Sequence, residues 1–496
     1  MIARAGNIDS VACATGIRGL DEVTGGGLPR DGITLVRGDC GSGTTTLAME
    51  FLVRGAREFD AQGLFFSFEE RNRDLLEHFA LLDLPRLVES GSIRLDEVGQ
   101  EKETFRTCRR PQCFDLDALL SRLEQAIDVA GADRVVLDGV LEFLLPEYED
   151  RCIGEQEVRR LFRCFKKRGA TIVLTCGQEG EQYPAMALAR RLADCVLSLE
   201  RPDARRVSDR RLQVMKHRGG QHGNHRYPFI IADDGMAVLP VGSISLEYGV
   251  GEERISTGVP GLDAMLGHAG FYRGSGVLVT GAAGTGKTTL GTRFAEAACA
   301  RGERALYFSF EEPPGEIIRN MDGVGVELEK WKDQGILGLE AMRPAERGLG
   351  GHILRVLRAV EGFSPQVVVI DPLPAFTEDS SSGGLKTMLT HLVDRLKKAG
   401  ITTLFTDLTP ADHAVQAAQS HVASLMDTWI NLRNVRMYGQ RSLLLEILKS
   451  RGTGHSRNER ELTIGEPGLA LADQGNDPGT EAGQTGRRWL NARGLT

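Results

Sequence analysis

The chain is written twice. The hexapeptide Gly16-Ile17-Arg18-Gly19-Leu20-Asp21 returns as Gly258-Val259-Pro260-Gly261-Leu262-Asp263, 242 residues later in a sequence of 496. Gly38 is matched by Gly281 after 243 residues, and Phe68-Glu69-Glu70 by Phe310-Glu311-Glu312 after 242. Farther on the offset settles at 233: Asp138 is answered by Asp371, Asp194 by Asp427, and Lys216-His217-Arg218-Gly219 by Lys449-Ser450-Arg451-Gly452. Solenoid repeats run to roughly 20–50 residues, so a period this long marks a duplicated domain. The drop in offset places a difference of about ten residues in one central loop. These matches predict a first domain over 1–242, a second over 243–472, and a tail over 473–496. The tail is rich in Gly and polar residues, has Trp489 and Leu490 as its apolar anchors, and is expected to be mobile.

Each half is long enough to bury its own core, and 41% apolar with 26% charged residues is ordinary for a globular protein. No stretch approaches the roughly 18–20 apolar residues of a membrane helix, and residues 1–15 lack the layout of a secretory signal. The expected location is therefore the cytoplasm, with no membrane partner. A net charge of -8 argues against nucleic acid as the main partner, since phosphate backbones are gripped by clustered Lys and Arg. Arg205, Arg206, Arg210 and Arg211 form the best basic cluster, interrupted by Asp203 and Asp209. Nine cysteines follow no zinc spacing and read as reduced thiols, and His217, His222 and His225 lack an organised set of partners for a metal.

Within each copy, short β-branched runs alternate with helical periodicity, which predicts an α/β fold with a mostly parallel sheet flanked by helices. In the second copy the expected strands are 277–280, 305–310, 367–370 and 402–406, with helices over 288–300 and 385–398. Two further runs, 429–433 and 442–449, read as a hairpin added at the sheet edge.

Gly281-Ala282-Ala283-Gly284-Thr285-Gly286-Lys287-Thr288 matches G-x-x-x-x-G-K-[S/T] in full, after an apolar strand and before a helix. Such a loop turns backbone N–H groups and the positive end of a helix toward phosphates. Lys287 supplies a cation, the Thr288 hydroxyl is placed to ligate Mg2+, and Thr289 follows in the first helical turn. The expected ligands are ATP and Mg2+. A strand-end carboxylate to hold the metal is supplied by Asp371, after Val367-Val368-Val369-Ile370. Hydrolysis also needs a group to position or deprotonate water, and Glu311 and Glu312 are the candidates. Adjacent side chains on extended backbone point to opposite sides, so one of the two is expected to face the phosphate.

The first copy departs at one place. Gly38-Asp39-Cys40-Gly41-Ser42-Gly43-Thr44-Thr45 has Thr44 where the lysine belongs, and Asp39 adds a negative charge beside the phosphate position. Gly41, Ser42, Gly43, Thr45, Glu69, Glu70 and Asp138 remain, so weak or structural nucleotide binding with little turnover is expected there.

The combination of G-[IV]-x-G-L-D, the P-loop, F-E-E, a strand-end Asp and K-x-R-G, duplicated over about residues 14–472, resembles the KaiC family of RecA-like ATPases. The resemblance implies two tandem RecA-like domains in stacked hexameric rings, with ATP held between neighbouring subunits. It also implies that the K-x-R segment of one subunit reaches the phosphates of the next, making Lys449 and Arg451 trans contacts for the second copy and Lys216 and Arg218 for the first. Clock members of the family phosphorylate themselves on an adjacent Ser-Thr pair. Here the corresponding positions are Ala423 and Ser424, so a two-site cycle is not expected and Ser424 is the one candidate phosphoacceptor, with Glu311 as its base. Pro372 stands where the family commonly has Ser.

The expected function is ATP hydrolysis in the second domain, with serine autokinase activity open, in signalling or timing. Two competing readings are an ATP-assembled signalling scaffold whose tail recruits a protein partner, and a RecA-like DNA-dependent motor. Lysine-dependent phosphate release separates the first from the scaffold, and salt-sensitive retention on single-stranded DNA marks the motor.

Overall fold

Val135-Val136-Leu137 and Val367-Val368-Val369-Ile370 are apolar on consecutive residues, a pattern that suits a strand covered on both faces. In the computed structural model every one of these side chains is fully buried in a sheet interior. The structure describes residues 12–98, 116–144, 151–177, 184–201, 210–220, 225–240, 251–343, 349–373, 382–408, 422–437, 440–466 and 468–472. The expected tail, 473–496, lies outside them. The chain divides into two compact units, Met1–Ser243 and Ile244–Thr496.

In the first unit the described strands of the main sheet are β1 (Ile33–Gly38), β2 (Gly63–Ser67), β3 (Ile93–Glu97), β4 (Arg134–Asp138), β5 (Thr171–Cys176), β6 (Cys195–Glu200), β7 (Arg210–His217), β8 (Arg226–Ala232) and β9 (Gly235–Val238). The second unit repeats them as β10 (Gly276–Gly281), β11 (Ala305–Ser309), β12 (Leu337–Ala341), β13 (Val367–Asp371), β14 (Thr402–Leu408), β15 (Thr428–Met437), β16 (Gln440–Ser450), β17 (Arg460–Gly465) and β18 (Gly468–Leu471). The first sheet runs β3-β2-β4-β5-β1-β6-β7-β8-β9, and the second has the same order with each number raised by nine. From β12 to β15 all neighbours are parallel, and from β15 to β18 they are antiparallel. Each unit is therefore a mostly parallel sheet with helices packed on it, the RecA-like architecture in duplicate.

The expected hairpin differs in its surroundings. Its first strand, β15, pairs in parallel with the P-loop strand β10, Leu278 opposite Trp429, and β17 and β18 continue beyond its second strand. Alternation within β17 and β18 is too short to separate from loop, and β12 reads as Leu-Gly-Leu-Glu-Ala, so neither signal stands out in the sequence. In an open α/β sheet, ligands bind beyond the carboxyl ends of the parallel strands. Beyond those ends lie the 281–288 loop after β10, Glu311 after β11, and Asp371, Thr406 and Asp407 on β13 and β14.

One buried group gives a testable signature of this packing. His391, on the helix Ser382–Lys398, is 3% exposed, and neither ring nitrogen has a hydrogen-bond partner among the described residues. Burial, and then the nearby Arg395, push its pKa down to about 4. A depressed histidine is neutral in the fold, so its contribution is intact above the unfolded value near 6.5 and lost as pH falls toward 4. That loss amounts to about 3 kcal/mol at 1.36 kcal/mol per unit. Urea midpoints of the full chain should fall less between pH 7 and 5 in His391→Leu than in the unsubstituted protein.

Candidate functional site

The loop after β10 is shaped by its glycines. Gly286 has φ 85°, a left-handed conformation that glycine adopts without strain, and it starts the helix Lys287–Ala300. A Cβ on Gly281 would lie 2.5 Å from the Leu432 carbonyl oxygen and 2.6 Å from Thr285 Oγ1, so strand and loop pass too closely for any other residue. Thr285 Oγ1 donates to the Ala282 carbonyl at 2.8 Å and pins the turn. Gly284, which has φ 74°, lies two residues ahead of Gly286.

Lys287 is buried, and its Nζ donates to the Gly281 and Ala282 carbonyl oxygens at 2.8 and 2.9 Å. Burial pushes its pKa down, opposed by Asp371, Glu311 and Asp407. The Thr288 hydroxyl donates to Asp371 Oδ2 at 2.8 Å, which joins the helix start to the end of β13. Thr289 is buried in the first helical turn. Asp371 receives two further donors: Tyr307 Oη on Oδ2 at 2.5 Å, and Thr406 Oγ1 on Oδ1. A carboxylate so surrounded is held in one orientation, with its charge directed at the threonine hydroxyl of the loop. The peptide between Asp371 and Pro372 is cis.

The two adjacent glutamates part company. Glu312 is held through its backbone, its N–H donating to Ser309 Oγ at 3.1 Å while that hydroxyl donates to its carbonyl at 2.7 Å. Its carboxylate accepts from Asn320 Nδ2 at 3.2 Å on the following helix. Glu311 instead experiences the loop. Burial and then the Asp371 charge raise its pKa, and Lys287 opposes them.

The first copy reproduces the cradle with fewer parts. Gly43 has φ 104° ahead of the helix Thr44–Phe59. Thr45 Oγ1 lies 3.2 Å from Asp138 Oδ1, which also accepts from Thr175 Oγ1 at 2.6 Å. Phe65 replaces Tyr307, so that donor is missing. Burial pushes Asp138 up to about 6, opposed by the Thr175 hydrogen bond and reinforced by Glu69. Thr44 stands at the position that Lys287 holds in the second copy.

A sequence model described as ATPase: KaiC matches residues 13–243 and again 255–476. The chain belongs to the KaiC family. The circadian clock protein KaiC2 of Synechocystis sp. (strain ATCC 27184 / PCC 6803 / Kazusa) is 40% identical over 94% of this chain and 82% of its own length. The circadian clock oscillator protein KaiC of Picosynechococcus sp. (strain ATCC 27264 / PCC 7002 / PR-6) is 33% identical over 92% of this chain and 89% of its own. That of Synechococcus elongatus (strain ATCC 33912 / PCC 7942 / FACHB-805) is 32% identical over 92% and 88%.

In this KaiC-family chain the K-x-R segments lie away from their own loops. Asp427, at the start of β15, donates its N–H to the Gly276 carbonyl, five residues before Gly281 and so about 16 Å away at 3.3 Å per strand residue. Around that far end Lys449 Nζ donates to the carbonyls of Ala423 and Met426 at 2.9 and 2.7 Å, and Arg451 Nη2 to that of Ser424 at 2.9 Å. Ser424 is exposed there. In the first copy Lys216 Nζ donates to the Arg191 and Ala193 carbonyls at 2.8 and 2.5 Å, and Arg218 Nη2 to that of Arg191 at 3.1 Å. The fold thus brings together Gly281 to Thr289, Glu311 and Asp371, but keeps Lys449, Arg451 and Ser424 apart from them.

Three residues of the site escaped the sequence reading. Thr406 had a findable signal, because Thr402-x-x-x-Thr406 repeats Thr171-x-x-x-Thr175 after 231 residues. Tyr307 had none, since its counterpart is Phe65. Asp407 is pushed up to about 6 by burial, with Lys287 opposing, and its counterpart is Cys176.

Proposed function

We propose that the second domain of this KaiC-family protein binds Mg-ATP at Gly281 to Thr289 and hydrolyses it. The observation that carries this is the junction of Lys287, Thr288, Asp371 and Glu311 at one loop, while the Glu312 carboxylate accepts from Asn320 on the following helix. The fit to the ligand is direct: a cradle that a Cβ on Gly281 would fill, a buried ammonium, and a hydroxyl 2.8 Å from a strand-end carboxylate. Thr288 and Asp371 are the residues that would hold Mg2+, which would neutralise charge on the triphosphate. Lys287 exchanges its carbonyl partners for phosphate oxygen, and loop N–H groups orient the triphosphate. Glu311 accepts the proton of a water whose oxygen forms a new bond to the γ-phosphorus as the bond to the β-phosphate oxygen breaks. Its raised pKa brings it closer to the range in which a base both holds and releases a proton near neutrality.

Phosphate release from Mg-ATP by the full chain, stopped by EDTA, is the test. A protein that binds ATP yet releases no phosphate above the blank is an ATP-assembled scaffold instead. The donors on Asp371 add a finer expectation. Tyr307→Phe should raise the Mg2+ concentration for half-maximal turnover about tenfold while changing the saturated rate little, since such orienting groups contribute about 10–100-fold in metal affinity.

Lys449 and Arg451 sit at the end of the sheet away from their own loop, which supports assembly with nucleotide between copies, as in a homohexamer. Lys216 and Arg218 have the same disposition in the first domain. Ser424 shares that far end, so phosphorylation there requires the γ-phosphate of another copy. Phosphopeptide mapping of residues 414–433 after incubation with ATP tests that step. The relatives named above are clock proteins, and a timing or signalling role for this chain follows from that likeness.

A further inference from the structure

The first-domain loop lacks its lysine, yet a cation has arrived from another element. Arg210 opens β7, and its Nη1 donates to the Gly41 and Ser42 carbonyl oxygens at 2.6 and 3.1 Å. In the second domain Lys287 bonds the carbonyls of Gly281 and Ala282, the counterparts of Gly38 and Asp39, so the guanidinium reaches a later part of its loop than the ammonium does. The duplication supplies an internal control. At the repeat offset of 233 that aligns Lys216 with Lys449, Arg210 aligns with Leu443 and Arg201 with Asn434. The register irregularity of the two hairpins also falls at equivalent points, between Val196 and Leu197 and between Trp429 and Ile430. So the copy that keeps the lysine carries Leu443 on the strand, and the copy that has lost it carries Arg210.

A second guanidinium stands beside the first. A Cβ on Gly41 would lie 3.3 Å from Arg201 Nη1. Burial, and then Arg201, push the pKa of Arg210 down. Among the described residues neither arginine has an ion-pair partner. Two like charges converging on a loop of this form leave room for an anion to neutralise them. Arg210, Gly41, Gly43, Thr44, Thr45 and Glu70 line a shared cavity of about 540 Å3, large enough for a phosphate chain and its base. Ser42 Oγ, fully buried in the loop, has no hydrogen-bond partner among the described residues.

We propose that Arg210 replaces the missing P-loop lysine, so that the first domain holds a nucleoside triphosphate through a guanidinium supplied by the sheet rather than an ammonium supplied by the helix. This rests on the duplicated loops being nucleotide sites. It stands against the expectation of weak or structural binding drawn from Thr44 and Asp39.

The test is equilibrium binding of a non-hydrolysable ATP analogue with Mg2+ to the full chain, counted per chain. The unsubstituted protein should take about two, Arg210→Ala about one, and Lys287→Ala about one, each lost site weakened at least about tenfold. Arg210→Lys should keep most of the first site and reports whether the fold tolerates change there. Thr44→Lys combined with Arg210→Ala should restore the second equivalent, because it returns the cation to its usual place. Full stoichiometry in Arg210→Ala overturns the proposal, as does a loss that Thr44→Lys leaves unrepaired. An unsubstituted chain whose one bound nucleotide disappears in Lys287→Ala also overturns it. A chain that binds none at all fails at the earlier reading of the loops.

Discussion

Lys287→Ala is expected to lower nucleotide affinity and turnover of the second domain by about 100-fold or more, close to 3 kcal/mol at 1.36 kcal/mol per decade. The ammonium is buried, and it already carries the cost of desolvation that pushes its pKa down. Its bonds to the Gly281 and Ala282 carbonyls hold it against the loop. Charge-assisted bonds in such a setting are roughly twice as strong as neutral ones. Thermal unfolding separates loss of binding from loss of fold: the variant should unfold near the unsubstituted temperature without nucleotide, and ATP should no longer raise that temperature as far. Turnover within about threefold of the unsubstituted protein would sink the assignment.

Glu311→Gln should cut the hydrolysis rate about 100-fold and leave ATP affinity nearly unchanged, whereas Glu312→Gln should change the rate by less than about threefold. The two residues are neighbours of the same chemical type, so the contrast isolates geometry. Glu312 is tied by Ser309 and Asn320, while Glu311 responds electrostatically to Asp371 and Lys287. Because burial, and then the Asp371 charge, raise Glu311 against the opposing Lys287, a base at this carboxylate is lost as pH falls through a value above the usual 4.5. The acidic limb of the rate profile should therefore lie higher than an ordinary glutamate gives, and vanish in Glu311→Gln. An equal effect of the two substitutions would instead assign the pair to a shared structural role. Measurement of kcat and KM for both variants decides it.

Much of this was legible before any coordinates. The duplication, the loop glycines, Lys287 and Asp371 are local signals, because strand, turn and helix follow one another along the chain and the chemistry sits at their junctions. The choice between Glu311 and Glu312 was only half legible: alternation says that one points inward, but which one depends on Ser309 and Asn320. Tyr307 and Arg210 were not legible as site residues. Tyr307 looks like any aromatic on a buried strand until β13 is laid beside β11 in register, Ser309 opposite Asp371. Arg210 belonged to a basic cluster in the sequence, and only the pairing of β6 with β7 brings it to the 38–45 loop. Residues distant in the chain meet through sheet order, which periodicity does not encode.

On the proposal that Lys449 and Arg451 serve the pocket of another copy, their separation from the Gly281 loop along one sheet gives every subunit a donor face and an acceptor face that differ. A two-fold dimer pairs like with like, and so cannot match the one face to the other. Copies joined through such faces either close into a circle or grow as a filament, and in both cases the contacts acquire a direction. Occupancy of one pocket is then felt by the neighbour on one side only, so a subunit lacking Lys449 and Arg451 would silence the copy next to it while its own pocket stayed served.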